Sequence, residues 1–310
     1  MSVLGPKAYI FGGELLPRQP VDNQSDVVDV TVESRDGPQT LAVVDAPSPR
    51  VGAPSVSANG YIWLFSGRGG PAMDPIDEQG GVWRCDAAIP SWDLIETASY
   101  KYPAARSYHA MASDGAKTIY LHAGCPSQGR LSDLWAFDTA SLEWTELPSA
   151  PGPARGGTSI TFCQGKLYRV GGFDGTSEQG GVVDVYDPAA STWQSISFSP
   201  DDIHGPGARS VAALLAVRSE GEPVLVSMFG EGDPSSLGHA GAGKMLHDVW
   251  LFHIRDAAWK KMEFEGDVPS ARAWFAADVL QGRDGDAVIV HGGLAADNSR
   301  LGDVWRLELA

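Results

Sequence analysis

The chain has 310 residues, 39 acidic and 23 basic, so its formal net charge is −16 at neutral pH. This charge disfavours nucleic-acid or anionic-membrane binding, because phosphate groups would be repelled. The three cysteines, Cys85, Cys125 and Cys163, show no CxxC spacing and predict neither a zinc cage nor a disulfide framework, which is typical of a reducing compartment. Because the sequence shows no run of 18 apolar residues and no signal peptide, we expect a soluble protein of the cytoplasm.

A short apolar strand that ends in a glycine-containing doublet recurs six times, first at Tyr9–Phe11 before Gly12-Gly13. The later doublets are Ser66-Gly67, Ala123-Gly124, Gly171-Gly172, Phe229-Gly230 and Gly292-Gly293. The spacing of roughly 50 residues is typical of a repeated supersecondary unit of kelch length. We interpret the doublets as turns or close backbone approaches, which glycine permits.

Four of the units also contain an aromatic-containing strand followed by an outer tryptophan at a fixed offset, as in Trp83 and Trp92, Trp135 and Trp144. A small residue followed by arginine opens the segment before the doublet strand. These pairs are Ala105-Arg106, Ala154-Arg155, Ala208-Arg209 and Ala271-Arg272. Four short strands per unit, separated by turn residues, predict one antiparallel blade. The chain is therefore predicted to be an all-β, six-bladed β-propeller that forms a single domain over residues 1–310, with almost no helix.

The two ends of the chain interrupt this pattern. The first unit begins at Ser2–Leu4, without room for the arginine-containing opening of its innermost strand. The last unit ends at Val304–Leu307, before an outer tryptophan strand. We therefore expect a shortened N-terminus, and a seam between blades one and six that exposes an unpaired strand edge.

The residue after each doublet is expected to emerge on one face of a propeller, near its axis. Around the ring these residues are Glu14, Arg68, Cys125, Phe173, Glu231 and Leu294. Arg130 follows the third doublet and should point into the same basin. Two glutamates and two arginines can orient an anionic or zwitterionic small molecule. The alternative is a solvated rim whose ion pairs contribute little.

The fifth loop places Glu231, Asp233 and His239 within nine residues on a glycine-rich segment. Two carboxylates and an imidazole suit a divalent metal such as Fe(II) or Mn(II), with open positions for a substrate. The same groups suit general acid–base catalysis without a metal. The structural alternative is a turn over Asp233–Ser235, with His239 at the edge of a strand.

Motifs in all six units also match one known family. They are Phe11–Leu15 with Pro17, Gly67-Arg68, Ala105–Ser113, Arg155–Gly157, Ala208–Val211, Gly230-Glu231, Gly238-His239, Arg272–Trp274 and His291–Gly293. Over its whole length the chain resembles the kelch-type specifier proteins of plants, which form nitriles, epithionitriles and thiocyanates, and their non-plant relatives. The resemblance implies a non-haem Fe(II)-dependent lyase or rearrangement enzyme.

The resemblance also implies an iron motif of Glu, Asp and His, with three residues between successive ligands. Glu231 and His239 match this motif, while Ser235 stands at the middle position and Asp233 lies two residues earlier. Serine is a poor iron ligand, so either Asp233 replaces it or the metal is lost.

The resemblance further implies that Arg68 and Arg130 hold the anionic group of the substrate. Trp274 is a pocket aromatic on the same basis, and Tyr108 takes the place of a phenylalanine.

These observations lead to one leading hypothesis and two alternatives. The leading hypothesis is a specifier-like kelch protein that acts on a small anionic molecule at the axial pocket, as an Fe(II)-dependent lyase. The first alternative is a non-catalytic kelch propeller that binds a protein partner. The second is a metal-free cyclase or isomerase of secondary metabolism, with Glu231 or His239 as acid or base.

Overall fold

The structure is a computed structural model that describes residues 1–31, 38–41, 43, 45–87, 91–219, 221–264, 266–283 and 285–308, with His239 described by its backbone alone. The chain divides into two compact units, Met1–Ser149 and Ala150–Ala310. Within the described ranges the regular structure is β-strand, apart from one 3₁₀ turn at Gly238–Ala240, so the prediction of almost no helix is confirmed. In this part of the chain, no helix has the length and apolarity needed to cross a membrane.

Three antiparallel sheets of four strands dominate the first unit. Its strands in chain order are β1 (Ser2–Leu4), β2 (Lys7–Phe11), β3 (Glu14–Leu16), β4 (Gln19–Pro20), β5 (Ser25–Asp29), β6 (Gln39–Leu41), β7 (Arg50–Val51), β8 (Ser55–Ala58), β9 (Tyr61–Leu64), β10 (Arg68–Gly69), β11 (Asp74–Pro75), β12 (Val82–Asp86), β13 (Ser91–Ile95), β14 (Ala110–Ser113), β15 (Thr118–Gly124), β16 (Leu131–Asp138) and β17 (Glu143–Leu147). The sheet orders are β1-β2-β5-β6, β8-β9-β12-β13 and β14-β15-β16-β17, one for each of the first three repeats. A three-stranded sheet β7-β10-β11 and the hairpin β3-β4 complete the unit.

The second unit repeats this organisation in the last three repeats. Its strands are β18 (Ser159–Cys163), β19 (Lys166–Val170), β20 (Val182–Asp187), β21 (Thr192–Ser197), β22 (Ala213–Ser219), β23 (Glu222–Met228), β24 (Val249–His253), β25 (Ala258–Lys261), β26 (Arg272–Ala273), β27 (Ala276–Leu280), β28 (Ala287–Ala295) and β29 (Arg300–Glu308). The first two sheets are β18-β19-β20-β21 and β22-β23-β24-β25. In the third, β28 pairs with β27 and β29 along its length and with β26 at its end.

The doublets have the same backbone conformation in all six copies. Their second residue is always glycine, with φ between +100° and +110°. A side chain is strongly disfavoured in this region, and at Gly172 an added Cβ would lie 2.8 Å from Cδ of Arg155. The first doublet residue has φ between +49° and +73°, which Ser66, Ala123 and Phe229 adopt. The interpretation of the doublets as scaffold is therefore confirmed.

The repeated arginines are buried and link the strands of their own sheets. The guanidinium of Arg106 donates to the carbonyl of Ala123 at 3.0 Å and forms two bonds, 2.6 and 2.8 Å, with the Asp133 carboxylate. The same carboxylate accepts the indole N–H of Trp135 at 2.8 Å. Equivalent trios are Arg50 with Glu78 and Trp83, Arg209 with Asp248 and Trp250, and Arg272 with Asp303 and Trp305. Bidentate, charge-assisted bonds of this kind hold the repeat together.

The fourth sheet departs from this pattern. Val182 occupies the strand position that Asp133 has in the third sheet, so the carboxylate partner of Arg155 is replaced by an apolar side chain. A different pair forms instead, because Nε of Arg169 donates to the Asp184 carboxylate at 3.0 Å. Burial, followed by the charge of Arg169, lowers the pKa of Arg155 to about 10. A buried arginine without a paired carboxylate is a local weak point of this sheet.

Candidate functional site

The residues that follow the doublets are held by short backbone pairings next to their own sheets. Arg68 in β10 pairs with Val51 and Pro75, Cys125 with Ser107, Phe173 with Gly156 and Glu178, Glu231 with Ser210 and Met245, and Leu294 with Ala273 and Arg300. Glu14 begins the hairpin β3-β4. Their backbones are therefore positioned by the fold rather than by free loops.

Arg68 in the first unit keeps its positive charge without an acidic partner. Its Nε donates to Oγ of Ser107 at 3.1 Å and its Nη2 to the carbonyl of Pro126 at 3.3 Å. Both acceptors are neutral, and no carboxylate pairs with Arg68 among the described residues. The side chain is half-buried, so part of it remains accessible. Its charge is available to a ligand, in contrast to the charges of the buried scaffold arginines.

Arg130 and Arg68 both lie near Cys125, so the positive charges of both affect the pKa of its thiol. Burial raises the pKa of Cys125, while the positive charges of Arg130 and Arg68 oppose this rise. The backbone of Cys125 is fixed by two bonds with Ser107, N–H to O distances of 2.7 and 3.0 Å. Arg130, like Arg68, is half-buried. The first unit thus brings the two predicted anion-binding arginines to the same place.

Tyr108 and Glu14 belong to the same cluster. Burial raises the pKa of the Tyr108 phenol to about 12, the carboxylate of Glu14 adds to the rise, and Arg68 opposes it. Oε2 of Glu14 also accepts the backbone N–H of Arg18 at 2.9 Å. Four predicted substrate-binding residues therefore cluster in the first unit, and we name Glu14, Arg68, Tyr108 and Arg130 the arginine cluster.

The predicted metal ligands lie in the second unit and differ in environment. Glu231 is 6% exposed, and its Oε1 accepts the N–H of Gly243 at 2.8 Å. Burial raises the pKa of Glu231, and the bond from Gly243 opposes the rise. Asp233 is exposed, whereas Oγ of Ser235 accepts the N–H of Leu237 at 3.1 Å within its own loop.

The described donors do not by themselves make up an iron centre. No three His, Cys, Asp or Glu side chains in the described ranges form a group that could hold a metal ion. The hydroxyl of Ser235 is already used by the loop, and the exposed Asp233 does not join Glu231 in such a group. The side chain of His239 lies outside the described residues, so its role as a ligand stays a prediction.

Trp274, the predicted pocket aromatic, is also in the second unit. It is 36% exposed and its φ is +59°, an unusual conformation for a bulky residue. Its N–H donates to the carbonyl of Val211 at 3.2 Å, and Val211 itself has φ of +45°. The backbone therefore holds a large apolar side chain partly in solvent, which agrees with a role in binding.

Glu178 is a candidate residue that the sequence analysis missed. Both of its carboxyl oxygens are buried, and neither has a hydrogen-bond partner of good geometry among the described residues. Burial raises the pKa of Glu178 to about 8; the nearby Ser210 hydroxyl lowers it, and the charges of Glu231, Asp174 and Asp233 raise it further. A carboxyl group with such a pKa can exchange a proton near neutral pH. The sequence contains no motif around this residue, and its neighbours Ser210 and Glu231 belong to the following repeat.

The first 222 residues match the family model described as the KLHDC2/KLHL20/DRC7 Kelch-repeats domain. The chain belongs to the kelch-repeat family. The kelch interpretation of the 50-residue repeat is thus confirmed. A solved kelch-type neighbour, YjhT, superposes with a TM-score of 0.70 at 15% identity, covering 98% of this chain and 92% of that structure. This likeness shows the fold, a kelch β-propeller.

One of two curated relatives of this kelch protein is named as an enzyme, and the other is named only for its kelch domain. One is N-(sulfonatooxy)prop-2-enimidothioate sulfolyase from Thlaspi arvense, 26% identical over 333 residues, covering 98% of this chain and 90% of the relative. The other is human Kelch domain-containing protein 3, 24% identical over 277 residues, covering 84% of this chain and 65% of the relative. The predicted resemblance to specifier proteins is confirmed by the first of these.

Proposed function

We propose that this kelch protein binds a small anionic molecule through Arg68 and Arg130. The observation that carries the proposal is the state of Arg68, which is half-exposed and bonded to two neutral oxygens. Arg106, by contrast, is fully buried and paired with a carboxylate. A guanidinium group offers several donors in one plane, which suits carboxylate, sulfate and phosphate groups.

The relative from Thlaspi arvense supports a sulfate-type anion. The name of that enzyme describes a substrate with a sulfonatooxy group on nitrogen, and a lyase reaction. In a reaction of this type the N–O bond breaks and its electron pair leaves with the sulfate, while an electron pair from the imidothioate group forms a new bond to nitrogen in its place. Arg68 and Arg130 would neutralise the departing sulfate and so stabilise the transition state. No step of this proposed reaction involves a metal.

The proposal is tested by calorimetric titration of 4-nitrophenyl sulfate into the whole protein, at constant ionic strength. We expect Arg68→Ala and Arg130→Ala each to weaken binding about 10- to 100-fold, because a charge-assisted bond is worth about 1.5–3 kcal/mol. Sulfate released from an N-sulfonatooxy imidothioate, measured with and without protein, would then extend the test to lyase activity.

Arg84→Ala is the matched control. Arg84 is also a half-buried arginine of the first unit, but it pairs with Asp93 at 3.2 Å and stacks on Tyr61 at 4.7 Å. We expect this variant to bind the sulfate ester like the wild type. Equal binding by Arg68→Ala, Arg84→Ala and the wild type would refute a role for the arginine cluster.

Binding of a protein partner is the second candidate function, and the hairpin β3-β4 favours it. Leu15 and Leu16 are 72% and 57% exposed on this hairpin. Adjacent exposed leucines are typical of interaction sites. A partner that is retained by Arg68→Ala but lost when both leucines are changed to serine would support this function over the first.

A further inference from the structure

The guanidinium of Arg155, in the fourth repeat, is held in the same way as the buried arginines of four other repeats. Its Nε donates to the carbonyl of Pro153, two residues earlier, at 3.1 Å, and its Nη1 donates to the carbonyl of Gly171, the first doublet residue, at 3.0 Å. The same two bonds, to the carbonyl two residues earlier and to the first doublet residue, are made by Arg50, Arg106, Arg209 and Arg272. The fork formed by Nη1 and Nη2 therefore has the same direction within all five repeats.

In the other four repeats a carboxylate lies in front of this fork, and we name its place the carboxylate position. Its oxygens accept from Nη1 and Nη2 at distances between 2.6 and 3.2 Å, and the four residues are Glu78, Asp133, Asp248 and Asp303. These side chains are 10–37% exposed, so the carboxylate position is reached by solvent. In the fourth repeat Val182 replaces the aspartate, and its side chain ends at Cγ, one atom short of the aspartate oxygens.

Arg155 has no carboxylate partner in the described part of the chain. The residue is 7% exposed, and its Nη2 makes no hydrogen bond with a described residue. Two carboxylates influence its charge, but Asp184 accepts from Arg169, and Asp174 accepts two backbone N–H groups of its own loop. The pKa of Arg155, about 10, keeps the guanidinium charged at neutral pH. A buried cation with unused donors is therefore left at the surface end of the fourth sheet.

A second change in the fourth repeat removes a side chain beside Nη2. The residue three positions before the buried arginine is proline in the other four repeats, at Pro47, Pro103, Pro206 and Pro269. In the fourth repeat this residue is Gly152, which is exposed, and an added Cβ on it would lie 3.1 Å from Nη2 of Arg155. The fourth repeat therefore lacks both the carboxylate and the proline ring, and no side chain of Gly152 covers Nη2.

We propose that Nη1 and Nη2 of Arg155 form an anion site that binds a small carboxylate from solution, at the position where the other repeats have a carboxylate of their own. The two oxygens of a carboxylate match the parallel N–H groups of a guanidinium fork. Because two backbone carbonyls already fix the Arg155 fork, its donors need no rearrangement when the anion binds. This site lies in the second unit, and it does not depend on the proposed function of Arg68 and Arg130.

The test is thermal unfolding of the whole protein in sodium formate, with sodium chloride added to keep the ionic strength constant. A ligand that binds only the folded chain stabilises it by mass action. We expect formate, at up to about 100 mM, to raise the melting temperature of the wild type by about 2–3 °C, with a saturable dependence on concentration. Val182→Asp should lose this rise, because its own carboxylate occupies the Arg155 fork.

Thr192→Asp is the matched control, since it adds the same charge at an exposed position of the same sheet. This variant should keep the wild-type rise. The difference between Val182→Asp and Thr192→Asp should persist when Arg68→Ala is added to both, because that change removes any formate bound by the arginine cluster. A crystal structure of the wild type with formate should show both oxygens of the ion within about 3 Å of Nη1 and Nη2 of Arg155.

The outcomes separate this inference from the proposed function. If Val182→Asp responds to formate like Thr192→Asp, the Arg155 fork is not the site and the inference is overturned. If formate gives the wild type no saturable rise over chloride, Arg155 binds no carboxylate and the inference is again overturned. If the difference between the two variants disappears when Arg68→Ala is present, formate belongs to the arginine cluster, so the inference fails while the proposed function stands.

Discussion

Replacement of Glu178 by glutamine should stabilise the protein at alkaline pH and leave it unchanged at acid pH. Glu178 has an ordinary pKa of 4.5 that burial raises to about 8 in the folded chain. Below pH 4.5 the carboxyl group is protonated in both the folded and the unfolded chain. As pH rises through 4.5 the unfolded chain ionises, while the folded carboxyl keeps its proton until about pH 8. The free energy of unfolding therefore falls between about pH 5 and pH 8.

The size of this effect follows from the change in pKa. Each tenfold change in an ionisation constant is worth about 1.4 kcal/mol, so a rise from 4.5 to about 8 corresponds to about 5 kcal/mol at most. The carboxyl oxygens of Glu178 are buried but the residue as a whole is partly exposed, so solvent screening reduces the expected penalty to about 2 kcal/mol. For a chain of this length that equals about 4 °C in melting temperature.

The assay is thermal unfolding followed by circular dichroism from pH 5 to pH 9 at fixed ionic strength. Glu178→Gln should melt within about 1 °C of the wild type at pH 5 and about 4 °C above it at pH 9. Glu263→Gln, the same chemical change at an exposed position of the same unit, should show no pH-dependent difference. A constant offset between Glu178→Gln and the wild type at all pH values would show that Glu178 is not buried with a raised pKa.

Three further outcomes are expected from stability measurements. Val182→Asp should raise the melting temperature by about 2 °C by giving Arg155 the carboxylate that the other sheets have, whereas Val182→Asn should not. Gly172→Ala, at φ +105° and against Arg155, should cost about 3 kcal/mol in urea unfolding, while Gly165→Ala, at φ +77° in open space, should cost about 1 kcal/mol. His109→Leu should stabilise by about 1 kcal/mol, since both ring nitrogens are buried without partners in the described chain. Burial lowers the pKa of His109 to about 3, so the wild type should lose stability as pH falls below 6.5, and His109→Leu should lose less when melted at pH 5.

The proposed anion-binding residue Arg68 could be singled out from the sequence because it is a charged residue at a position that varies between the repeats. Arg68 follows a doublet at a position where the other copies have Glu14, Cys125 or Leu294, so it stands out without any knowledge of packing. Its neutral partners could not be foreseen, because Ser107 and Pro126 come from the next sheet. Those partners decide whether the positive charge of Arg68 is neutralised within the protein, and therefore whether it can pair with an anionic ligand.

The metal prediction remains untested, and the described part of its loop shows what residue spacing leaves open. Glu231, Asp233 and Ser235 are close in sequence, yet Glu231 is bonded to Gly243, Asp233 points into solvent and Ser235 caps its own loop. A flexible, glycine-rich loop has many conformations that satisfy the same spacing. The choice among them is made by contacts with residues far along the chain, which spacing does not encode.

The sequence by itself determined the kelch repeat, because a motif that occurs six times leaves a periodic record of its doublets, arginines and tryptophans. Local backbone rules explain this, since a glycine with φ near +105° recurs in all six copies and an arginine paired with a carboxylate in four. Only the tertiary structure decided the burial, the pKa and the contacts of single, non-repeated residues. Glu178 acquires its raised pKa from burial and from the charge of Glu231 in the following repeat, and the ring of Tyr108 lies against Gly52, which is far from it in the sequence. Burial and charge are properties of surroundings, and the surroundings of these residues exist only once the sheets pack together.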